Sequence, residues 1–450
     1  MFDKVVVANR GAVAARVIRA LRELNIRSVA VYSEADHDLP YLAMADETHA
    51  IGPAAPAASY LNQDAILDVV RRSHADGVHP GYGFLSENPG FAARVVAAGV
   101  GFIGPSPRWI EAMGHKTQAR ELMARHGMPM CASSAILRGG WEDSLKAARD
   151  VGFPVLVKPA TGGGGIGMLP AHGEQELAAA LERAASLATR SFGNAELYLE
   201  KLLARPRHIE FQVLADRHGA VRHLFERDCS VQRRHQKVIE ESPAPDIARP
   251  AIMPVAERIT AILAELGYDN IGTVETLYDP DAGFSFLEMN TRLQVEHAVT
   301  EEVTGIDLVQ SQIRLAAGER LDAVLPDQIA SKGHAIEVRI YAEDAKRFLP
   351  SPGPLRVFRP AAGAGIRVET GYAEGSAITP FYDPMIAKVI THGATRDGAI
   401  RRMLEALDMF VVEGVKTNIA FARQVLEDQD FRSGRIHTGL GAEVLVRKQG

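Results

Sequence analysis

Residues 286–297 read Phe-Leu-Glu-Met-Asn-Thr-Arg-Leu-Gln-Val-Glu-His. On an extended chain successive side chains alternate between faces, so Glu288, Asn290, Arg292, Gln294 and Glu296 would share one wall. The strand reading lines up two oxygen donors suited to a metal, a guanidinium and a second carboxylate, and it makes this part of the chain a sheet. A solvated edge strand would show the same alternation, and that reading stays open on these residues alone.

The 450 residues, 46% hydrophobic, suffice for two or three domains with separate cores. The opening Met-Phe-Asp-Lys-Val-Val-Val-Ala-Asn-Arg runs directly into a strand pattern rather than a signal segment. No window of about 18 apolar residues marks a membrane span. A cytoplasmic protein with no membrane partner is expected. Cys131 and Cys229 are too few and too far apart for a disulfide framework and read as reduced thiols. The net charge of -6 argues against nucleic acid as a partner.

Residues 4–8 read as a buried strand, followed by a helix carrying Val13, Val17, Leu21 and Leu24 on one face and a second strand over 28–32. Helices near 60–72 and 86–97 alternate with a short strand at 77–79 and an apolar piece at 100–103. This pattern predicts a doubly wound, Rossmann-like α/β domain. Its first turn, Asn9-Arg10-Gly11-Ala12, lacks G-x-G-x-x-G, so no nicotinamide or flavin cofactor is indicated there. Beyond residue 114 come a helix over 117–126, a strand at 154–158, a glycine run and a helix over 174–188. Residues 197–240 and 272–288 are β-rich, with hairpin turns at 216–219 and 279–283. A third region starts near Gly333 with the strand-like His334-Ala-Ile-Glu-Val-Arg-Ile-Tyr341 and is expected to end in a helix over 396–409.

Lys158-Pro-Ala-Thr-Gly-Gly-Gly-Gly-Ile-Gly-Met168 frees the backbone to wrap N–H groups around an anion, phosphate above all. Met168-Leu-Pro170 follows instead of a helix start, so the run reads as a hairpin between strands. Arg233 to Lys237, with acids at Glu240 and Glu241, suggest a basic wall facing phosphates.

Taken together, Lys116, the glycine run, Glu200-Lys201, His208, the segment 227–237, Gly272-Thr273-x-Glu275, Glu288-x-Asn290 and Thr291-Arg-Leu-Gln-Val-Glu-His297 resemble the ATP-grasp superfamily. More narrowly the chain resembles biotin carboxylase. That likeness begins at Ala8-Asn-Arg-Gly11, passes through His79-Pro-Gly-Tyr-Gly-Phe-Leu-Ser-Glu-Asn88, continues to Tyr382-Asp-Pro-Met-Ile-Ala-Lys388 and Val415-Lys-Thr-Asn418, and covers essentially the whole chain.

The resemblance implies an N-terminal domain over 1–114, an ATP-grasp domain over 115–330 with a glycine-rich lid at about 131–202, and a C-terminal mixed α/β domain over 331–450. It implies carboxylation of biotin N1 by bicarbonate at the expense of ATP, with Mg²⁺ or Mn²⁺. ATP would meet Lys116, Lys158, Gly164, Gly165, His208, Gln232 and His235, with the adenine read at Glu200, Lys201, Leu202 and Leu203. Glu275 and Glu288 would serve both nucleotide and metal, joined in the metal set by Asn290. Bicarbonate would be held by Lys237, Arg292, Gln294 and Val295, with Glu296 as base. Arg339 would stabilise the biotin enolate and Tyr82 would flank its ring.

The implied partners are a separate biotin carboxyl carrier protein, carboxyltransferase subunits of an acetyl-CoA or acyl-CoA carboxylase-type complex, and a second copy in a homodimer. Arg16, Arg19 and Glu23 mark the helix where such members pair, or else a solvated face. The plainer alternatives for two site residues are an Arg292–Glu296 ion pair and a turn aromatic at Tyr82; Cys229 reads as packing. Ala12, His115, Ile166, Thr276 and Ala298 depart from the family pattern. Ile166, where arginine is usual, motivates a complex with another final acceptor such as a urea-type substrate, or a non-catalytic ATP-binding paralogue.

Overall fold

Val5, Val6 and Val7 have no exposed surface because helices cover both faces of their strand. In the computed structural model, which describes residues 1–160, 167–233 and 236–447, they form the centre of a parallel sheet. Its strands are β1 (Lys4–Val7), β2 (Arg27–Tyr32), β3 (Glu47–Ala50), β4 (Gly77–His79) and β5 (Gly101–Phe102), in the order β3-β2-β1-β4-β5. Val5 and Val7 pack with Val13, Val17 and Leu21 of the helix Gly11–Glu23. Val6 faces the other way, toward Ile66, Val70, Phe91 and Val95 of the helices Gln63–Ser73 and Pro89–Ala97. This is the doubly wound arrangement expected from the sequence. The third helix starts at Pro89 rather than Ser86, because proline presets φ for a first turn and Asn88 accepts the Phe91 N–H at 2.8 Å.

A second, smaller sheet has the order β7-β6-β8, from β6 (Val155–Pro159), β7 (Leu169–Ala171) and β8 (Leu197–Lys201). β6 and β7 flank the glycine run and pair antiparallel, Val157 opposite Leu169, as a hairpin requires. The helices Trp141–Val151 and Glu174–Phe192 close over this sheet around a core of its own, including Leu145, Val157, Leu177 and Leu199.

The rest of the chain builds a larger sheet from β9 (Arg207–Ala215), β10 (Val221–Arg233), β11 (Gln236–Ser242), β12 (Asn270–Asp279) and β13 (Gly283–Asn290). Further on come β14 (His334–Tyr341), β15 (Gly353–Pro354), β16 (Val357–Arg359), β17 (Ile366–Glu369), β18 (Ala377–Ile378), β19 (Met385–Gly393) and β20 (Val411–Glu413). Eight of these strands form one antiparallel sheet in the order β13-β12-β9-β10-β11-β14-β19-β17, and the other four pair as short ribbons. The β11/β14 seam, with Ile239 opposite Val338, joins residues before position 330 to residues after it. The third region does not end at the helix Arg396–Met409 as expected, since the helices Ile419–Glu427, Gln429–Arg432 and Leu440–Arg447 follow it. Among the described residues no helix is long and apolar enough to cross a membrane.

Close contacts tie the parallel sheet to the large one. Gly371 lies so near the first turn that an added Cβ would come within 2.3 Å of the Gly11 carbonyl carbon. Arg16, expected on a pairing or solvated face, is instead buried. Its guanidinium meets Glu301 at 3.0 Å, Asp307 at 2.6 Å and Glu369 at 3.5 Å, because the helix Gly11–Glu23 turns this side chain inward. Removing one partner of a buried ionic cluster leaves uncompensated charge. Arg16→Met should therefore cost roughly 3 kcal/mol of unfolding free energy, read as a lowered urea midpoint, whereas an unmoved midpoint would assign Arg16 no structural role.

Candidate active site

The strand expected across 286–297 ends at Asn290, and residues 291–296 leave the sheet. Glu87 captures them: its carboxylate accepts the Thr291 N–H at 3.1 Å and Arg292 Nε at 2.8 Å. Glu296 then occupies the position just before the helix His297–Thr304, its side chain making no capping hydrogen bond. The five side chains consequently do not form one flat wall, although several still meet. Arg292 bridges Asn290 Oδ1 and Gln294 Oε1, both at 3.0 Å, and its carboxylate partner is Glu87 rather than Glu296.

Register explains why charge concentrates beside this loop. Arg227 on β10 stands opposite Glu210 on β9, Glu210 opposite Glu275 on β12, and Glu275 opposite Glu288 on β13. Three carboxylates in cross-strand succession repel one another unless cations intervene. Arg227 Nε reaches Glu210 at 2.5 Å, and Lys116 Nζ reaches Glu288 at 3.0 Å. Lys237 Nζ serves Glu210 at 2.6 Å and Glu275 and Glu296 at 2.8 Å each. Burial would lower the Lys237 pKa, but these three acids hold it well above its ordinary value. Glu275 also accepts from His208 Nε2 and Asn290 Nδ2 at 2.8 Å and from Gln294 Nε2 at 3.1 Å. It thereby links residues expected at ATP, metal and bicarbonate. Gln232 Nε2 lies 3.0 Å from His208 Nδ1.

Glu296 has no exposed surface. Its second oxygen accepts Arg339 Nη2 at 2.9 Å, and Arg339 Nε donates to Glu240 at 2.6 Å. Burial alone would raise the Glu296 pKa; Lys237, Arg339 and Arg227 outweigh it and hold the carboxylate well below its usual range. The neighbouring Val295 carbonyl accepts the buried Lys388 Nζ at 2.6 Å. A cavity of about 470 Å³ opens here, lined among others by Tyr82, Arg292, Val295, Arg339, Tyr341 and Phe381. Cys229 is buried with its thiol 3.8 Å from Glu296, and burial pushes its pKa up, against nucleophilic chemistry.

The remaining expected nucleotide residues are placed unequally. Lys158 is buried and donates to Glu200 at 2.9 Å, while Arg120 holds the other Glu200 oxygen at 3.0 Å. The N–H groups of Lys201 and Leu202 are spent on Ala132 and Pro154 carbonyls, and the Lys201 ammonium on those of Gly152 and Phe153. Leu203 lies two residues beyond β8. Arg233 departs from the expected basic wall: it pairs with Glu343 and stacks over Tyr341 and Phe348, each 5.2 Å away. Gly164, Gly165, Ile166 and His235 lie outside the described residues. Glu288 stands opposite Glu275 across the β12/β13 pair and Asn290 Nδ2 donates to Glu275 at 2.8 Å, so two carboxylates and an amide oxygen, the donor types a hard divalent cation takes, cluster here. Sequence reasoning assigned no role to Glu87, Glu210, Glu240 or Lys388, whose partners are distant in the chain.

Three family descriptions match in succession: Biotin carboxylase, N-terminal domain, over residues 1–110; Carbamoyl-phosphate synthase L chain, ATP binding domain, over 115–324; and Biotin carboxylase C-terminal domain over 337–442. The biotin carboxylase of Halalkalibacterium halodurans is 48% identical over 450 residues, covering 100% of this chain and 99% of that protein. This chain belongs to the biotin carboxylase family. It is accordingly an ATP-grasp ligase that carboxylates biotin. A pyruvate carboxylase component from Methanothermobacter thermautotrophicus is 47% identical over 440 residues, 97% of this chain and 89% of that one. The biotin carboxylase domain dimer of Hydrogenobacter thermophilus 2-oxoglutarate carboxylase, solved with MgADP, ADP and bicarbonate, superimposes with a TM-score of 0.94 at 43% identity, covering 99% of each chain.

Lys237→Met should destabilise the fold by roughly 3–5 kcal/mol at neutral pH, since it strands buried carboxylates. In the unsubstituted chain the depressed Glu275 and Glu296 contribute stability above the unfolded carboxylate pKa and lose it as pH falls through their folded values. The substitution reverses the sign: carboxyls raised above the unfolded value make the variant regain stability on acidification toward about pH 5. Urea midpoints at the two pH values check this, and parallel losses in both proteins would refute it.

Proposed function

We propose that this chain is the biotin carboxylase subunit of an acyl-CoA carboxylase-type complex and acts on biotin borne by a separate carrier protein. The observation that carries the reading is Glu296, buried between Lys237 and Arg339 at the edge of the Tyr82-lined cavity. Bicarbonate entering there would take over cationic donors from Glu296, which raises the basicity of its carboxylate as the proton must move. Lys237, Arg292, Gln294 and the Val295 amide hold the anion in line with the ATP γ-phosphoryl group. Attack of a bicarbonate oxygen on the γ-phosphorus expels ADP and gives carboxyphosphate, which breaks down to CO₂ and phosphate; the phosphate accepts the N1 proton of biotin, and N1 then attacks CO₂ to give carboxybiotin. Arg339 stabilises the enolate that forms, and Tyr82 flanks the ring.

On this reading ATP lies along Lys116, Lys158, His208 and Gln232, with the adenine at the end of β8 near Leu203. Glu275, Glu288 and Asn290 would hold Mg²⁺, which would supply charge neutralisation to the phosphates. Lys116 and Lys237, now on Glu288 and Glu275, would then be freed toward phosphate and bicarbonate. The separate core around β6–β8 supports residues 131–202 as a lid that excludes water from carboxyphosphate. Regions 1–114, 115–330 and 331–450 divide the labour, and the chain pairs as a homodimer in the cytoplasm with carboxyltransferase subunits downstream. Pyruvate and 2-oxoglutarate carboxylases among its relatives favour, as the second reading, a complex with a different final acceptor.

Phosphate release from Mg-ATP should depend on bicarbonate and rise with free biotin. Glu296→Gln should retain ATP binding by calorimetry while that turnover falls roughly 10²–10⁴-fold; undiminished turnover would remove Glu296 as the base.

A further inference from the structure

Glu337 has no part in the chemistry above, yet it lies two residues from Arg339 on the same face of β14. Across the β11/β14 seam it stands directly opposite Glu240, and neither side chain has exposed surface. Like charges at such a pair are unfavourable even where water screens them, and burial removes that screening. Glu240 is served by Arg339. Glu337 is not: its nearest cation is Lys388 Nζ at 3.7 Å, and that ammonium is already held by Glu369 at 2.7 Å and by the Val295 carbonyl. Among the described residues neither Glu337 oxygen has a hydrogen-bond partner, and nor does Glu240 Oε2.

Among the described residues every other cation facing Glu337 is already committed elsewhere. Glu240 faces Glu337 from β11, Arg339 from its own strand, Lys388 from β19 and Glu369 from β17. The helix His297–Thr304 packs over β11, β14 and β19 and brings Glu296 at its cap and a buried His297. Tyr82 adds a buried hydroxyl, also without a partner among the described residues, within electrostatic reach of Glu337 and Glu369. The nearby cations Lys237 and Arg367 are engaged by Glu210, Glu275 and Glu296 and by Glu301 and Glu369 respectively. A proton between Glu240 and Glu337 turns two opposed acceptors into a donor and an acceptor.

We propose that Glu240 and Glu337 share one proton at neutral pH and that this proton keeps Arg339 forked between Glu240 and Glu296, making Glu337 a positioning residue for biotin activation. The inference rests on the assignment of Arg339 to biotin. Loss of the proton leaves a buried dianion that competes with Glu296 for the guanidinium and draws it from the cavity wall. Burial pushes Glu337 up to about 8, with Lys388 opposing and Glu240 adding, and burial likewise lifts Glu240 to about 7. The pair therefore titrates as a unit just above neutrality.

The test is infrared difference spectroscopy of the full chain carrying ¹³C-labelled glutamate, titrated between about pH 7 and pH 9. A protonated-carboxyl C=O stretch should vanish as pH rises, be missing in Glu337→Gln at every pH, and persist at a displaced frequency in Glu337→Asp, the variant that decides should the amide not fold. In parallel, the alkaline limb of kcat/KM for free biotin should move up by about one pH unit in Glu337→Gln. A titrating band unaltered in the variants, or an alkaline limb left in place, overturns the proposal. Should biotin fail to stimulate the unsubstituted protein, the assignment of Arg339 falls, while the infrared arm still decides whether the pair carries a proton.

Discussion

One ammonium group, on Lys237, stands between three buried carboxylates contributed by β9, β12 and the loop after β13. Without it, among the described residues, Glu210 would keep only Arg227, and Glu275 only His208 and two amide donors, while the two carboxylates face each other across adjacent strands. Such an arrangement is tolerable only where every member has a partner, and it fixes register because a one-residue slip would turn the acids to the other side of the sheet. The chemistry and the strand alignment therefore constrain each other. The sheet brings the acids together, and the acids permit one alignment of the sheet.

Two charged rows cross the large sheet on either side of the catalytic loop. One runs Arg227, Glu210, Glu275, Glu288; the other runs Arg339, Lys388, Glu369 over β14, β19 and β17. The loop between them is gripped at successive residues: Arg292 by Glu87, the Val295 carbonyl by Lys388, and Glu296 by Lys237 and Arg339. Phosphoryl transfer and biotin carboxylation require different neighbours for one bicarbonate-derived carbon. On the proposed function, a loop suspended between a row at the nucleotide and a row at biotin would satisfy both without a large displacement of Glu296.

Much of this was legible in the sequence where local pattern and structure coincide. The strands Gly77–His79 and His334–Tyr341 and the helix Arg396–Met409 fall where the periodicity put them. Glu47–Ala50 carries no apolar alternation, being recruited to the sheet by pairing with β2, and the helix Arg249–Leu266 hides behind an internal Pro254. At the site, the residues within motifs were readable, whereas their counter-charges were not. Glu87 is 205 residues from Arg292, and Glu240 is 99 from Arg339; nothing local marks either as a partner. The sharp error was geometric. Alternation suggested a continuous strand to Glu296, but a contact with Glu87 bends the chain away after Asn290.

The β11/β14 seam also orders events during synthesis. A ribosome releases Gln236–Ser242 long before His334–Tyr341, so the edge of β11 must wait, unpaired, for a strand made much later. Arg339 arrives on that late strand, and Lys388 and Glu369 later still. A nascent chain can acquire its nucleotide-side acids and their lysine while lacking the guanidinium that completes the base's surroundings. Vectorial growth thus withholds the full set of groups around Glu296 until the last strands dock.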